Sequence, residues 1–332
     1  MSTTTAPSVG EQEATRDDTR RSRVDLGLVR DYGVYVALLV LILFNVIFTP
    51  YFLTSANLRV QLVQVAPVVI VALGMAMVIG TEGIDLSVGS VMALAGALVP
   101  LYLGYGVPVA ILVALVGGLV SGVFAGTLVA YVGVQPIVAT LGLLVGVRGI
   151  AQLLLGGQFR QIDSAGFNNL GTGAIGPVPV VVLVAVVVAA LVGFLVRRTT
   201  FGRRLVAIGG NPVAARLAGL PVRRTLLTVY VASGLLAAAA GILLTAYQKA
   251  GTPSTQGLLM ELTAITAVVV GGTPLSGGKI RVLGTIAGAL LMQLVGATLI
   301  KHDLPQSINQ MTQAVIIVAA VYVQRNRGGA RR

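Results

Sequence analysis

Val60-Gln-Leu-Val-Gln-Val-Ala-Pro-Val-Val-Ile-Val-Ala-Leu-Gly-Met-Ala-Met-Val-Ile79 runs for a full helical span with two amides and no charge. Twenty helical residues rise about 30 Å, the thickness of a bilayer's hydrocarbon core. A helix on the surface of a soluble domain keeps one polar face; this run keeps none beyond Gln64, so its surroundings are lipid or the interior of a lipid-embedded bundle. Nine further apolar segments repeat the pattern, at about Gly33 to Phe48, Leu86 to Leu103, Val107 to Tyr131, Pro136 to Leu155, Pro177 to Val196, Thr225 to Tyr247, Glu261 to Gly271, Val282 to Ile300 and Gln306 to Val323. With 56% hydrophobic and only 10% charged residues, against roughly 25% charged in soluble domains, the chain predicts an all-α polytopic membrane bundle of about ten transmembrane helices. The eighth segment is too short to span alone. It either extends backward through Thr255 or forms a half-helix, and the third, starting directly after Glu82 and Asp85, reads as discontinuous too.

The basic residues orient the bundle. Short loops rich in Lys and Arg stay in the cytoplasm. With the N-terminus inside, eighteen of the 23 basic residues fall on cytoplasmic pieces: the N-terminal tail, the segment Arg197 to Arg224, Lys279 with Arg281, and the end from Arg325. Arg59, Arg160, Lys249 and Lys301 fall outside, and Arg148 lies within a span. Both termini are therefore expected in the cytoplasm. Residues 1–31 hold six acids and five Arg with almost no apolar run and read as a disordered tail without a cleavable signal. The membrane domain is expected over 32–324, with 197–224 as its large cytoplasmic loop and 325–332 as a basic tail. The net charge of +12 is then topology rather than nucleic-acid binding.

Catalytic chemistry finds no constellation. The chain has no Cys and a single His, His302, which reads as a solvated loop residue. Gly272 to Lys279 fails as a phosphate loop, because Thr273 stands where the first Gly belongs and Ile280 where Mg²⁺ needs a hydroxyl. No cofactor or metal is expected on this chain, and any nucleotide energy must come from a partner. Gly118, Gly122 and Gly126, Gly142 with Gly146, and Gly284 with Gly288 recur at fourfold spacing, which lets helix backbones approach closely. Gly83 to Gly89 and Gly272 to Gly278 echo one another at four of seven positions.

Glu82, Asp85, Arg148 and Glu261 lie near or inside the membrane, where an ionisable group is costly. The acids either cap helix starts or line and gate a polar path. Three amide-bearing stripes pose the same choice. Gln306, Asn309, Gln310 and Gln313 share one helical face, Asn57, Gln61 and Gln64 share another, and Arg148 pairs with Gln152. They either replace water around a passing solute or join helices by hydrogen bonds. Between Arg197 and Arg224, Asn211 before Pro212 starts a short helix, Ala214, Ala215 and Arg216 continue it through Ala218, and Gly219 ends it. A helix trapped between two spans is what a mechanical contact for a cytoplasmic partner needs; the alternative is an ordinary basic loop.

Glu82-Gly-Ile-Asp-Leu-Ser-Val-Gly-Ser90, Asn211-Pro-Val-Ala-Ala-Arg-Leu-Ala-Gly219 and Glu261 through Lys279 resemble the permeases of bacterial ATP-binding-cassette sugar importers of the ribose, xylose and galactofuranose type. The likeness covers about Tyr32 to Gln324. Gln135 to Thr140, Arg148 to Gln152 and Asn309 to Gln313 are most similar to the galactofuranose type. The resemblance implies a ten-helix permease in the bacterial inner membrane that imports a monosaccharide by alternating access. It also implies a second permease, identical or paralogous, a cytoplasmic ATPase carrying ATP and Mg²⁺, and an extracytoplasmic sugar-binding protein. Asn211 to Gly219 then looks like the coupling helix. Two positions depart: Glu82 replaces the usual Gly, and Thr263 stands where an Asp often follows Glu-Leu. The rival from another class is an ion-driven secondary transporter or channel, which needs carboxylates deep within its spans.

Overall fold

The computed structural model describes residues 26–325; the remainder of the two expected tails lies outside the described residues. The chain forms α1 (Leu26–Phe48), α2 (Ser55–Gly80), α3 (Val88–Tyr102), α4 (Val107–Thr127), α5 (Pro136–Leu154), α6 (Ala165–Thr172), α7 (Val180–Arg198), α8 (Thr200–Gly210), α9 (Pro212–Leu217), α10 (Val222–Gln248), α11 (Met260–Val270), α12 (Val282–Lys301) and α13 (Gln306–Arg325). Extended pairing among the described residues is confined to two-residue antiparallel ladders, Arg160–Gln161 with Ala250–Gly251 and Ala174–Ile175 with Val178–Pro179. Seven described helices, α2, α3, α4, α5, α7, α10 and α12, are long and apolar enough to cross a bilayer.

Two helices occupy the centre. From Val63 to Gly80 every residue of α2 except Gln64 is buried, as a stretch apolar on all sides requires. The 27 residues of α10 pack against α2, α3, α4 and α6. Small residues permit that packing. A Cβ added at Gly122 of α4 would stand 2.6 Å from the Tyr230 carbonyl oxygen and 2.8 Å from Val231 Cα, and Gly118 and Gly126 meet α10 equally closely. Gly284 and Gly288 of α12 press likewise on the end of α11. Gly142 and Gly146 of α5 do not serve this purpose within the chain: a Cβ added at either meets nothing within 4 Å, and both line a groove of about 700 Å³ between α4 and α5.

The eighth apolar segment is a half-helix. The 11 residues of α11 rise about 16 Å, half of a hydrocarbon core. The run from Thr252 to Leu259 that precedes it is irregular and lies along α3: Gln256 presses on Gly96, and Gly257 on Gly89. Irregular backbone at membrane depth is tolerated where protein buries it. The segment between α2 and α3 behaves similarly, with Gly83, Asp85 and Ser87 all buried.

The expected loop at 197–224 contains a helix that its basic composition masked. Thr199 caps α8 by accepting from Gly202 N at 3.4 Å, and Leu205 and Ile208, one turn apart, bury the face opposite Arg203 and Arg204. The second echo segment meets the end of α2 where α8 ends: Gly278 N donates to Gly80 O at 3.1 Å, and Gly209 abuts both residues.

Candidate functional site

The short helix at 212–217 forms as its residues dictate. Asn211 Oδ1 accepts from Val213 N at 3.1 Å and Ala214 N at 2.9 Å, Pro212 occupies the first turn, and Gly219 takes a φ of +77° that ends the helix. Leu220 N then donates to Ala215 O at 3.0 Å, closing the C-terminal turn. Ala215 does not face outward. It is 5% exposed and packs with Ile208 and Val222, with Leu220 and Leu226 around them, so it anchors α9 to α8 and α10. The open face instead carries Val213 and Leu217, 67% and 85% exposed and one turn apart, beside Arg216. Sequence reading overlooked these two; their signal is an i, i+4 apolar pair in an otherwise polar loop.

A second constellation surrounds the irregular run before α11. Arg148 of α5 donates from Nη1 to Pro253 O at 3.2 Å and to Gln256 O at 3.1 Å. Glu261, in the first turn of α11, is largely buried and lies over Gly89 of α3. An acid at that place complements the helix dipole, although the N-cap position is Leu259 and no side chain caps α11. Gln256, which sequence reading missed, is 2% exposed; its Nε2 donates to Gly241 O and to Thr245 Oγ1, both at 2.9 Å on α10. Ser254 and Thr255 beside it are exposed. Gln152 is half-buried on the same helix as Arg148.

The other two acids separate. Asp85 is 2% exposed: Oδ1 accepts from Ser87 N at 3.0 Å and Ser87 Oγ at 2.6 Å, and Oδ2 accepts from Ser233 Oγ at 2.7 Å. It ties the segment before α3 to α10 and does not cap α3, whose N-cap is Ser87. Glu82 caps no helix either. It is exposed, follows the end of α2, and holds a φ of +65°. A side chain in that left-handed region costs about 1 kcal/mol or more. Glu82→Gly is therefore expected to stabilise the protein by about 0.5–1 kcal/mol, after allowance for the entropy of Gly in the unfolded chain. Thermal unfolding in detergent reads this as a rise in midpoint; a fall would show that the Glu82 side chain contributes a contact.

The amide stripes resolve differently from one another. On α2, Gln64 Oε1 accepts from Gln293 Nε2 of α12 at 2.9 Å, and Asn57 Nδ2 donates to Phe52 O at 2.8 Å; Gln61 Oε1 is buried without a hydrogen-bond partner. Of the three, Gln64 is the one whose bond joins α2 to another helix. On α13, Asn309 is buried against Gly296 of α12 and accepts from Gln313 Nε2 at 3.3 Å, whereas Gln306 and Gln310 are exposed. A further polar network was not anticipated: Asn45 of α1 and Thr298 of α12 exchange hydrogen bonds at 2.8 and 3.0 Å, and Thr49 joins Asn45 Oδ1 to His302 Nε2. A single Asn or Thr within an apolar span is its only sequence signal. His302 is exposed yet held. Among the described residues no cluster of His, Asp or Glu assembles that would hold a metal ion.

Comparison with known proteins places these elements in one lineage. Residues 57–321 match a family model described as branched-chain amino acid transport system / permease component. The chain is 38% identical over 302 residues to the galactofuranose transporter permease protein YtfT of Escherichia coli K12, covering 88% of this chain and 89% of that protein. It is 36% identical to the ribose import permease protein RbsC of Haemophilus influenzae, covering 89% and 93%. It is 32% identical to the L-arabinose transport system permease protein AraH of Escherichia coli K12, covering 94% and 96%. No solved structure matches it.

Proposed function

The chain belongs to the permease-component family, and from that premise we propose that it forms the path by which an ATP-driven importer carries a monosaccharide into a bacterial cell. It is a permease subunit, a non-catalytic component of such an importer; ATP and Mg²⁺ act in a partner ATPase. The observation that carries the sugar assignment is a match over most of the chain to permeases named for galactofuranose, ribose and L-arabinose. Galactofuranose is the first solute to try.

The full reading has ten spans, α1 to α5, α7 and α10 to α13, within a domain at 32–324 in the inner membrane, and places both termini and α9 in the cytoplasm. Asn211, Pro212 and Gly219 shape the coupling helix, Ala214 and Ala215 seat it, and Arg216 with Val213 and Leu217 meets the ATPase. Arg148, Gln152, Glu261, Gln306 and Gln310 line or gate the path between this permease and a second one, a copy or a paralogue. Asn309 and Gln313 set the packing of α13 beside that path, while Asn57, Gln61 and Gln64 fix α2. Asp85 holds α3 to α10, and Glu82 marks the cytoplasmic end of α2.

Purification of the tagged chain from its host in mild detergent after crosslinking tests the assembly. Mass spectrometry is expected to find an ATPase and a sugar-binding protein with it. Recovery of the chain alone would sink the assignment of α9.

A further inference from the structure

Gln256 belongs to four elements at once. Its side chain bonds α10 at Gly241 and Thr245, its amide fills the space over Gly96 of α3, its carbonyl oxygen receives Arg148 of α5, and α11 starts four residues later. We propose that Gln256 is the positioning residue that carries movement of α10 to the outer half of the path, so that a push on α9 reaches Arg148 and the exposed Ser254 and Thr255. The inference rests on the reading of the chain as an ATP-driven permease.

The mechanical line is continuous. Nothing slack separates α9 from α10: Val222 N donates to Leu220 O at 2.8 Å, Thr225 N to Pro221 O at 3.0 Å, and Ala215 packs directly on Val222. A helix of 27 residues is about 40 Å long, and α10 is backed along one side by the three glycines of α4. Closely packed elements shift as units rather than deform. The base of α10 therefore cannot tilt without moving Gly241 and Thr245 near its other end. There the irregular run has no helix of its own to resist, and the Gln256 side chain supplies its hydrogen bonds to α10. On the far side, α5 is separated from α4 by the 700 Å³ groove and has open space over Gly142, Gly146 and Gly149. Because α5 otherwise packs on α3, movement of the irregular run pulls on the Arg148 side chain itself, which is bonded to the carbonyl oxygens of Pro253 and Gln256.

Gln256→Met tests this link with little damage to the fold. Thr245 Oγ1 already bonds Gly241 O at 2.8 Å, so the substitution orphans no hydroxyl, and an unbranched side chain still fits against Gly96. The native chain has no Cys, so Thr255→Cys gives a unique label. In the complex with its ATPase and binding protein, reconstituted in liposomes, a membrane-impermeant maleimide should label Thr255→Cys at a rate that changes with ATP. Adding Gln256→Met should abolish that change while basal ATP hydrolysis continues. Thr245→Val should weaken the change, and Thr245→Ser should restore it. An undiminished ATP response in Gln256→Met overturns the proposal. Should that variant fail to assemble, Thr245→Val decides: a full ATP response there overturns the link equally. If the label never responds to ATP in an otherwise native complex that still imports sugar, this inference is overturned and the permease reading stands; if ATP-driven import is absent as well, the permease reading fails and this inference falls with it.

Discussion

Leu217→Asp should leave the permease folded and separate it from its ATPase. Leu217 is 85% exposed on α9, and Val213 one turn earlier is 67% exposed, so neither contributes to the core. If this exposed apolar pair docks in the ATPase as proposed, truncating the anchor costs about 2 kcal/mol or more, roughly 30-fold in affinity. A carboxylate adds the cost of burying an unpaired charge. Stimulated ATP hydrolysis and uptake should both fall by at least that factor, with the thermal midpoint of the isolated chain unchanged. Ala215→Asp, by contrast, should lower that midpoint as well, because Ala215 is packed between α8 and α10. The pair separates docking from folding. Uptake at native level with Leu217→Asp would remove α9 from the coupling route.

Gly122→Val should be the most destructive change within the membrane. The added Cβ would lie 2.6 Å from Tyr230 O and 2.8 Å from Val231 Cα, both backbone atoms of the central helix. Neither can yield without moving α10, so α4 must withdraw, and the cost exceeds about 3 kcal/mol. Little folded chain should be recovered from membranes, and what is recovered should melt early. Gly142→Val is the control. Its position faces open space, so any loss there would arise from a partner packed into the groove between α4 and α5.

The contrast between these two glycine pairs shows what sequence can and cannot carry. Fourfold spacing says that a backbone is able to approach; it does not say from where, and Gly142 with Gly146 has the spacing without a neighbour in this chain. The seven helices long and apolar enough to cross a bilayer were legible because hydropathy along twenty residues reports the solvent directly. Asn211 to Gly219 was legible too, since its cap, proline and terminating glycine are local chemistry. Long-range pairing was not. Asp85 with Ser233 and Gln64 with Gln293 join residues 148 and 229 positions apart, and no periodicity predicts such partners. Gln256 was hidden for the same reason: in a Thr-, Ser- and Pro-containing stretch one amide looks like loop composition, and only the depth to which the run descends along Gly96 and Gly89 makes it structural. The burial of Ala215 was not legible, because a six-residue helix has no detectable amphipathic period.

In the proposed mechanism, energy from ATP passes through α9. The most direct measurement is sugar uptake by proteoliposomes that contain the permease and its ATPase, supplied with the binding protein outside and ATP inside, with ribose and galactofuranose as trial solutes. Uptake is expected to require ATP and to be indifferent to an ionophore that collapses ion gradients. Uptake that persists without ATP and vanishes with the ionophore would contradict it.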